Sequence, residues 1–170
     1  MTTYVALLRA VNVGGTGKLP MADLKRLCAE AGFPRVETYI ASGNVVLDSD
    51  RPEAQVRSAL EGALERYAGR RVGVLVRTGP EMEAVLADNP FADAPPNRTV
   101  AIFLDAPPPA GALAAVSGRF DERVALGRRE VYVAYGDDMA RSKLKVPAAA
   151  AGTARNMNTV AKLAAMARRG

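Results

Sequence analysis

Two segments of the sequence carry residue types that bind anions. The first is LLRAVNVGGTGKLP, residues 7–20, where an apolar run with one arginine breaks into a glycine-rich stretch with one lysine. A glycine-rich turn between a strand and a helix can present backbone N–H groups to a phosphate, and nearby cations add charge. The residues of this segment predicted to bind an anion are Arg9, Asn12, Gly14, Gly15 and Lys18.

The spacing of these residues matches neither of the common nucleotide-binding loops. A P-loop needs a glycine five residues before its Gly–Lys pair and Ser or Thr after it, but Asn12 and Leu19 occupy those positions. The dinucleotide pattern G-x-G-x-x-G fails because Gly15 and Gly17 are followed by Pro20. A flexible turn between a strand and a helix is therefore an alternative to a phosphate site.

The second segment is rich in cations and contains no acids. Residues 139–170 hold seven Lys or Arg and no Asp or Glu, and such a field attracts phosphates or nucleic acid. The alternative is a compositional one, because an Arg-, Ala- and Gly-rich chain from a GC-biased genome would also carry the net charge of +5. The candidate binding residues here are Arg141, Ser142, Lys143, Arg155, Asn156 and Asn158.

Asn156 is predicted to cap a helix that begins at Met157. Arg155 would then stand beside the positive end of that helix, where a cation is unfavourable unless an anion is bound nearby. A bound anion would explain this placement, and a solvated arginine at an exposed helix end is the alternative. Ser142 and Lys143 are neighbours on a predicted helix, so their side chains diverge and a Ser–Lys nucleophile pair is not favoured.

The residues that the chain lacks narrow the possible chemistry. With no histidine, Ser–His and Cys–His nucleophile pairs and zinc sites built from His and Cys are excluded. The single cysteine, Cys28, cannot form an internal disulfide, which favours a cytoplasmic location. No apolar run reaches membrane-spanning length and no export signal is evident. We predict no metal, no cofactor and no membrane partner, and no residue can be nominated as catalytic.

The elements that must position these residues follow from hydrophobic periodicity and turn residues. Residues 1–78 predict the order β-α-β-β-α-β, with strands at 3–13, 36–42, 44–49 and 72–77. Helices are predicted to start at Pro20 and Pro52 and to end before Gly32 and Gly69. In a ferredoxin-like order, strands one and three are adjacent and antiparallel. The glycine-rich loop should therefore lie beside the start of strand three, which adds Ser42 and Asn44 to the candidate site.

The second half repeats this element order in part. A third helix starts at Pro80, and the stretch DNPFADAPPN is typical of a linker. Strands are predicted at 99–104, 122–126 and 130–135, and helices at 110–118, 139–145 and 157–168. The fold class predicted is α+β, with two ferredoxin-like (βαββαβ-type) subdomains that have antiparallel sheets. The predicted division is a first subdomain at 1–78, a helical linker at 79–98 and a second subdomain at 99–170.

Four stretches together resemble a known bacterial family, domain of unknown function 1697. They are YVALLRAVNVGGTGKLPMADLKRL, VETYIASGNVVLDS, GDDMARSKL and TARNMNTVAKLAAMA, and the resemblance runs from about residue 4 to 167. It implies a bacterial cytoplasmic protein of two α+β subdomains with no established activity. The chain departs from the family pattern at Ala10, Gly17 and Met157, where the family has Gly, Asn or a similar residue, and Trp.

These observations favour a protein that binds an anionic ligand, a nucleotide or a nucleic-acid phosphate, in a basic cleft between the two subdomains. An enzyme that acts on a phosphorylated or carboxylated small molecule, with or without Mg²⁺, is the alternative, since Arg could orient such a substrate. An assembly surface with no ligand is a third possibility. The sequence does not identify the ligand or the oligomeric state.

Overall fold

Two four-stranded antiparallel sheets with helices make up the fold, which confirms the predicted α+β class. A computed structural model describes residues 1–9, 19–40 and 43–169. Contacts divide the chain into unit 1, Met1–Met82 with Lys162–Gly170, and unit 2, Glu83–Ala161. The sequence interpretation had instead assigned residues 162–170 to the second subdomain.

Unit 1 has the element order β-α-β-β-α-β that was predicted for residues 1–78, while the ferredoxin-like assignment itself stays a prediction. Pro20 and Pro52 precede the first two helices, and Gly69 closes the second in the left-handed conformation at φ 70°. The elements are β1 (Thr2–Leu8), α1 (Met21–Glu30), β2 (Val36–Tyr39), β3 (Asn44–Ser49), α2 (Glu53–Ala68), β4 (Val74–Thr78) and α3 (Gly79–Ala87).

The strand order β2-β3-β1-β4 makes β1 a central strand that is antiparallel to both neighbours. Alternate residues of β1 point to opposite faces of the sheet. Tyr4, Ala6 and Leu8 lie in the core formed with α1 and α2. Val5 and Leu7, on the other face, are also fully buried. Both faces of this sheet are therefore covered, which explains the almost continuous apolar run in β1.

Unit 2 contains a second sheet in the order β6-β7-β5-β8, and β5 is its central strand. Val100 of β5 forms a small core with Leu104, Val131 and Val133 on one face. The last helix of the chain follows β8 directly. These elements are β5 (Thr99–Phe103), β6 (Arg123–Leu126), β7 (Glu130–Ala134), β8 (Thr153–Asn156) and α4 (Met157–Arg168).

Two predicted helices were wrong, and one strand was missed. The helix at 110–118 is only a 3-10 turn, Ala112–Ala115, because prolines and glycines flank it. The helix at 139–145 is a 3-10 turn, Met139–Arg141, followed by extended backbone. Pro147 disfavours helix at the residue before it. β8 was missed because four residues carry too little local pattern, and its pairing with β5 is long-range.

In both units the last strand leads directly into a helix through a capping residue. This shared connection makes the internal repeat more complete than predicted. Thr78 at the end of β4 accepts a hydrogen bond from Glu81 N (3.2 Å) at its hydroxyl, and Glu81 Oε1 accepts one from Thr78 N (2.8 Å), a capping box. Asn156 at the end of β8 accepts one from Thr159 N (2.9 Å), so the predicted cap is confirmed. In both units an edge strand therefore runs directly into a capped helix.

We predict that Asn156→Ala lowers the free energy of unfolding by about 1 kcal/mol, because the Thr159 N–H loses its side-chain acceptor. Asn158→Ala is the matched control, since Asn158 is exposed on the same first turn, and a change within about 0.5 kcal/mol is expected. Urea denaturation measures both variants. Equal effects of the two substitutions would contradict the capping role.

Candidate functional site

The predicted binding residues of unit 1 that the structure describes lie at the end of β1 and at the start of β3. Leu8 N donates to Gly43 O and Arg9 N to Gly73 O, each at 2.9 Å, so the end of strand one does lie beside the start of strand three. The side chain of Arg9 is exposed. Asn44 is fully buried, and its Nδ2 donates to Tyr39 O (2.8 Å), which is the turn role of an asparagine.

The remaining predicted residues of the opening loop, and one at the start of strand three, lie outside the described part of the chain. Their contribution to an anion site stays a prediction. They are Asn12, Gly14, Gly15, Lys18 and Ser42.

Arg155 is buried rather than solvated. Only 7% of it is exposed, and its Nη1 donates to Thr153 Oγ1 (2.8 Å) and Ala154 O (2.9 Å). Burial lowers the pKa of this guanidinium to about 10, so it still carries its charge at neutral pH. The charge is thus stabilised by hydrogen bonds from the arginine to neutral oxygens of its own strand.

A cluster of exposed cations in unit 2 forms where two chain segments pair. Ser117 N donates to Lys145 O (3.0 Å) and Lys145 N to Ser117 O (2.8 Å). These bonds join Ser117–Phe120 to Arg141–Lys145, and we call the two segments together the basic surface. Its exposed cations are Arg119, Arg141, Lys143 and Lys145.

The lysines of the basic surface point to solvent because their segment alternates. Leu144 and Val146 pack against the core of unit 2, whereas Lys143 and Lys145 are exposed. Backbone angles at Ser142 and Val146 are extended, at φ −58° and −120°. Residues two apart in an extended chain are separated by about 6.6 Å, so the two lysine side chains leave the same side of the segment about that far apart.

Glu122 is buried and links the two segments through hydrogen bonds. Its carboxylate accepts from Phe120 N (2.6 Å) and from Ser142 Oγ, and only 5% of the residue is exposed. The hydrogen bond from Ser142, followed by that from Phe120, holds the pKa of Glu122 below its ordinary value. Its negative charge is therefore directed at these two donors, and we call Glu122 with its hydrogen bonds from Phe120 N and Ser142 Oγ the clamp.

Gly118 permits the close approach of the two segments. Its φ is +70°, and a Cβ built there would lie 2.0 Å from Lys143 O. A side chain would meet both an unfavourable backbone angle and a backbone atom that has little room to move.

The cations of the basic surface differ in their surroundings. Arg141 Nε lies 3.6 Å from Asp138 Oδ2, and both side chains are largely exposed, so this ion pair is weak and open to exchange.

Arg155 is not part of the basic surface. It pairs with Ala101, whose side chain points away from the Val100 face against which Leu144 packs. Arg155 and the basic surface are thus on opposite faces of the second sheet.

Sequence reasoning identified Arg141, Ser142 and Lys143 but missed the partners that complete the surface. Lys145 could have been found, since the alternation in R-S-K-L-K-V is typical of an extended segment with one apolar face. Arg119, Phe120 and Glu122 had no local signal, because they reach the surface through a pairing over more than 20 residues.

Neither a metal cluster nor a membrane-spanning helix occurs in the described residues. No group of three or more Cys, Asp or Glu side chains there is arranged to hold a metal ion. Within the same ranges no helix has the length and apolar character needed to cross a membrane.

The fold and the surface define an α+β protein that carries a basic surface in its second unit. The chain belongs to the family described as "Protein of unknown function (DUF1697)", which matches residues 1–132 and confirms the resemblance drawn from the sequence. The chain is similar to the solved structure of conserved bacterial protein SP0830 from Streptococcus pneumoniae. The two are 25% identical with a TM-score of 0.80, and the match covers 98% of each chain. A search of curated proteins found no match.

We predict that Ser142→Ala raises the pKa of Glu122 towards its ordinary value, because the carboxylate loses its strongest hydrogen bond. A carboxyl with a lowered pKa stabilises the fold above its unfolded pKa, and this contribution is lost as the pH falls through the folded value. In the variant the contribution should therefore be smaller, and its loss should be complete at a higher pH. An NMR titration of the Glu122 carboxyl carbon measures this pKa.

Ser117→Ala is the control, since Ser117 joins the pairing through its backbone. An unmoved Glu122 titration in Ser142→Ala would contradict the clamp.

We predict that Gly118→Ala destabilises unit 2 by at least about 1–2 kcal/mol, the cost of a left-handed alanine before the clash with Lys143 O is added. The matched control is Gly111→Ala, where φ is −88° and the space for a Cβ is open. Urea denaturation compares the two variants. A Gly118→Ala protein as stable as the control would show that the segments do not pair closely.

Proposed function

We propose that the protein binds a phosphate-bearing anionic ligand on the basic surface of unit 2. The observation that carries the proposal is the pairing of Ser117–Phe120 with Arg141–Lys145, which concentrates four exposed cations. Phosphates are attracted by such clusters, and Arg and Lys bind them through charge-assisted hydrogen bonds.

Three features of the surface support this function. The cations lie on short segments that are joined by backbone hydrogen bonds, so less ordering of the loop backbone is needed on binding. One of the two acids that follow Phe120, Glu122, is turned inward and engaged by Ser142 and Phe120, whereas Asp121 is exposed. The ion pair of Arg141 with Asp138 is solvent-exposed, so a phosphate can compete for the guanidinium at little cost.

The test uses inorganic polyphosphate as the probe and the full chain as the protein. We expect binding that weakens as salt rises, because each phosphate that a cation neutralises releases counterions. In Lys143→Gln/Lys145→Gln the slope of log affinity against log salt should flatten. The expected change is roughly 0.7 for each phosphate no longer neutralised, if polyphosphate behaves as a single-stranded nucleic acid does. Isothermal titration calorimetry at several salt concentrations measures the slope.

The control is Lys25→Gln/Lys162→Gln, which also removes two exposed lysines but from unit 1. Both double variants carry a net charge of +3, from +5 less two lysine charges. A non-specific charge effect would change both variants equally. Equal slopes for the two double variants, or no binding of polyphosphate at low salt, would refute the proposed site.

A further inference from the structure

We propose that the ligand of the basic surface is a single-stranded nucleic acid, one of whose bases stacks on Phe120. This inference rests on the proposed function and assigns it a substrate class. It starts from a side chain that has no role in packing: 90% of Phe120 is exposed, more than any other large hydrophobic residue in the described part of the chain.

The backbone of Phe120 is held in place although its ring lies in solvent. Phe120 N donates to Glu122 Oε1 at 2.6 Å, and the same carboxylate accepts from Ser142 Oγ on the opposite segment. Gly118, at φ +70°, fixes the chain two residues earlier. The ring is therefore presented from an anchored point, which limits the entropy lost when a flat ligand packs on it.

Phe120 also lies on the same paired segments as the cations. Arg119 precedes it, and Lys143 and Lys145 lie on the paired segment. An aromatic side chain within a basic groove is the arrangement by which proteins hold single strands: phosphates contact the cations and a base stacks on the ring. The extended chain places Lys143 and Lys145 on the same side of the segment, where a polyanion can contact both.

A single strand fits these features better than a duplex or a bare polyphosphate. The bases of a duplex are stacked on one another, so none is available to a surface aromatic without unstacking. Polyphosphate has no planar group and would leave the ring exposed. Stacking accepts any base, and the chemistry is shared by DNA and RNA.

The experiment introduces one reporter into the full chain. The sequence contains no tryptophan, so Phe120→Trp supplies the sole indole. We expect oligothymidylate and oligouridylate to quench its fluorescence through stacking, and polyphosphate to bind without comparable quenching. A duplex of the same length should bind more weakly than either single strand.

The affinity arm uses Phe120→Ala, which leaves the core intact because the ring is exposed. We expect the affinity for oligothymidylate and oligouridylate to fall by roughly 5- to 150-fold, the range for removal of one stacked base. The affinity for polyphosphate should not change. Phe120→Tyr, which keeps an aromatic face, should bind the oligonucleotides as the parent chain does.

Each outcome separates this inference from the proposed function. If polyphosphate binds and Phe120→Ala leaves oligonucleotide affinity unchanged, the stacking inference is overturned and phosphate binding stands. Duplex binding as tight as single-strand binding would also overturn the inference. If neither polyphosphate nor any oligonucleotide binds at low salt, both proposals fail.

Discussion

Hydrogen bonding along both edges of one central strand is the constraint on which each unit depends. β1 bonds to β3 and β4, and β5 bonds to β7 and β8. A strand in this position has its register fixed on two sides, so every side chain is assigned to one face or the other. In β1 the residues from Tyr4 to Leu8 are all buried, so the side chains of the edge strands must pack around them.

One edge strand of each sheet, β4 or β8, carries a buried arginine beside the central strand. Arg77 on β4 lies opposite Val5, and Arg155 on β8 lies opposite Ala101. Both residues are nearly inaccessible, and in each the Nη1 donates to the carbonyl of the preceding residue, at 3.0 Å for Arg77 and 2.9 Å for Arg155. Each is followed at once by the residue that caps the next helix. Buried cations need such partners, so this geometry gives both arginines a structural role.

The sequence predicted best the features that depend on local pattern. Period-two and helical spacing, proline starts and glycine ends located the elements of unit 1, and the Asn156 cap followed from its position. Long-range features could not be predicted in this way. β8 forms by pairing with the edge of β5, and Phe120 is joined to Ser142 through hydrogen bonds to Glu122. No window of neighbouring residues contains that information.

The division of the chain has a consequence for the order in which it folds. Unit 2 is one unbroken stretch, whereas unit 1 joins Met1–Met82 to Lys162–Gly170 across it. The returning stretch supplies Leu163 and Ala164, both fully buried, and places Met166 O 3.5 Å from Arg35 Nη2. A nascent chain emerging from the ribosome would hold all of unit 2 while unit 1 still lacked this piece. Unit 2 can thus fold during synthesis before unit 1 is complete.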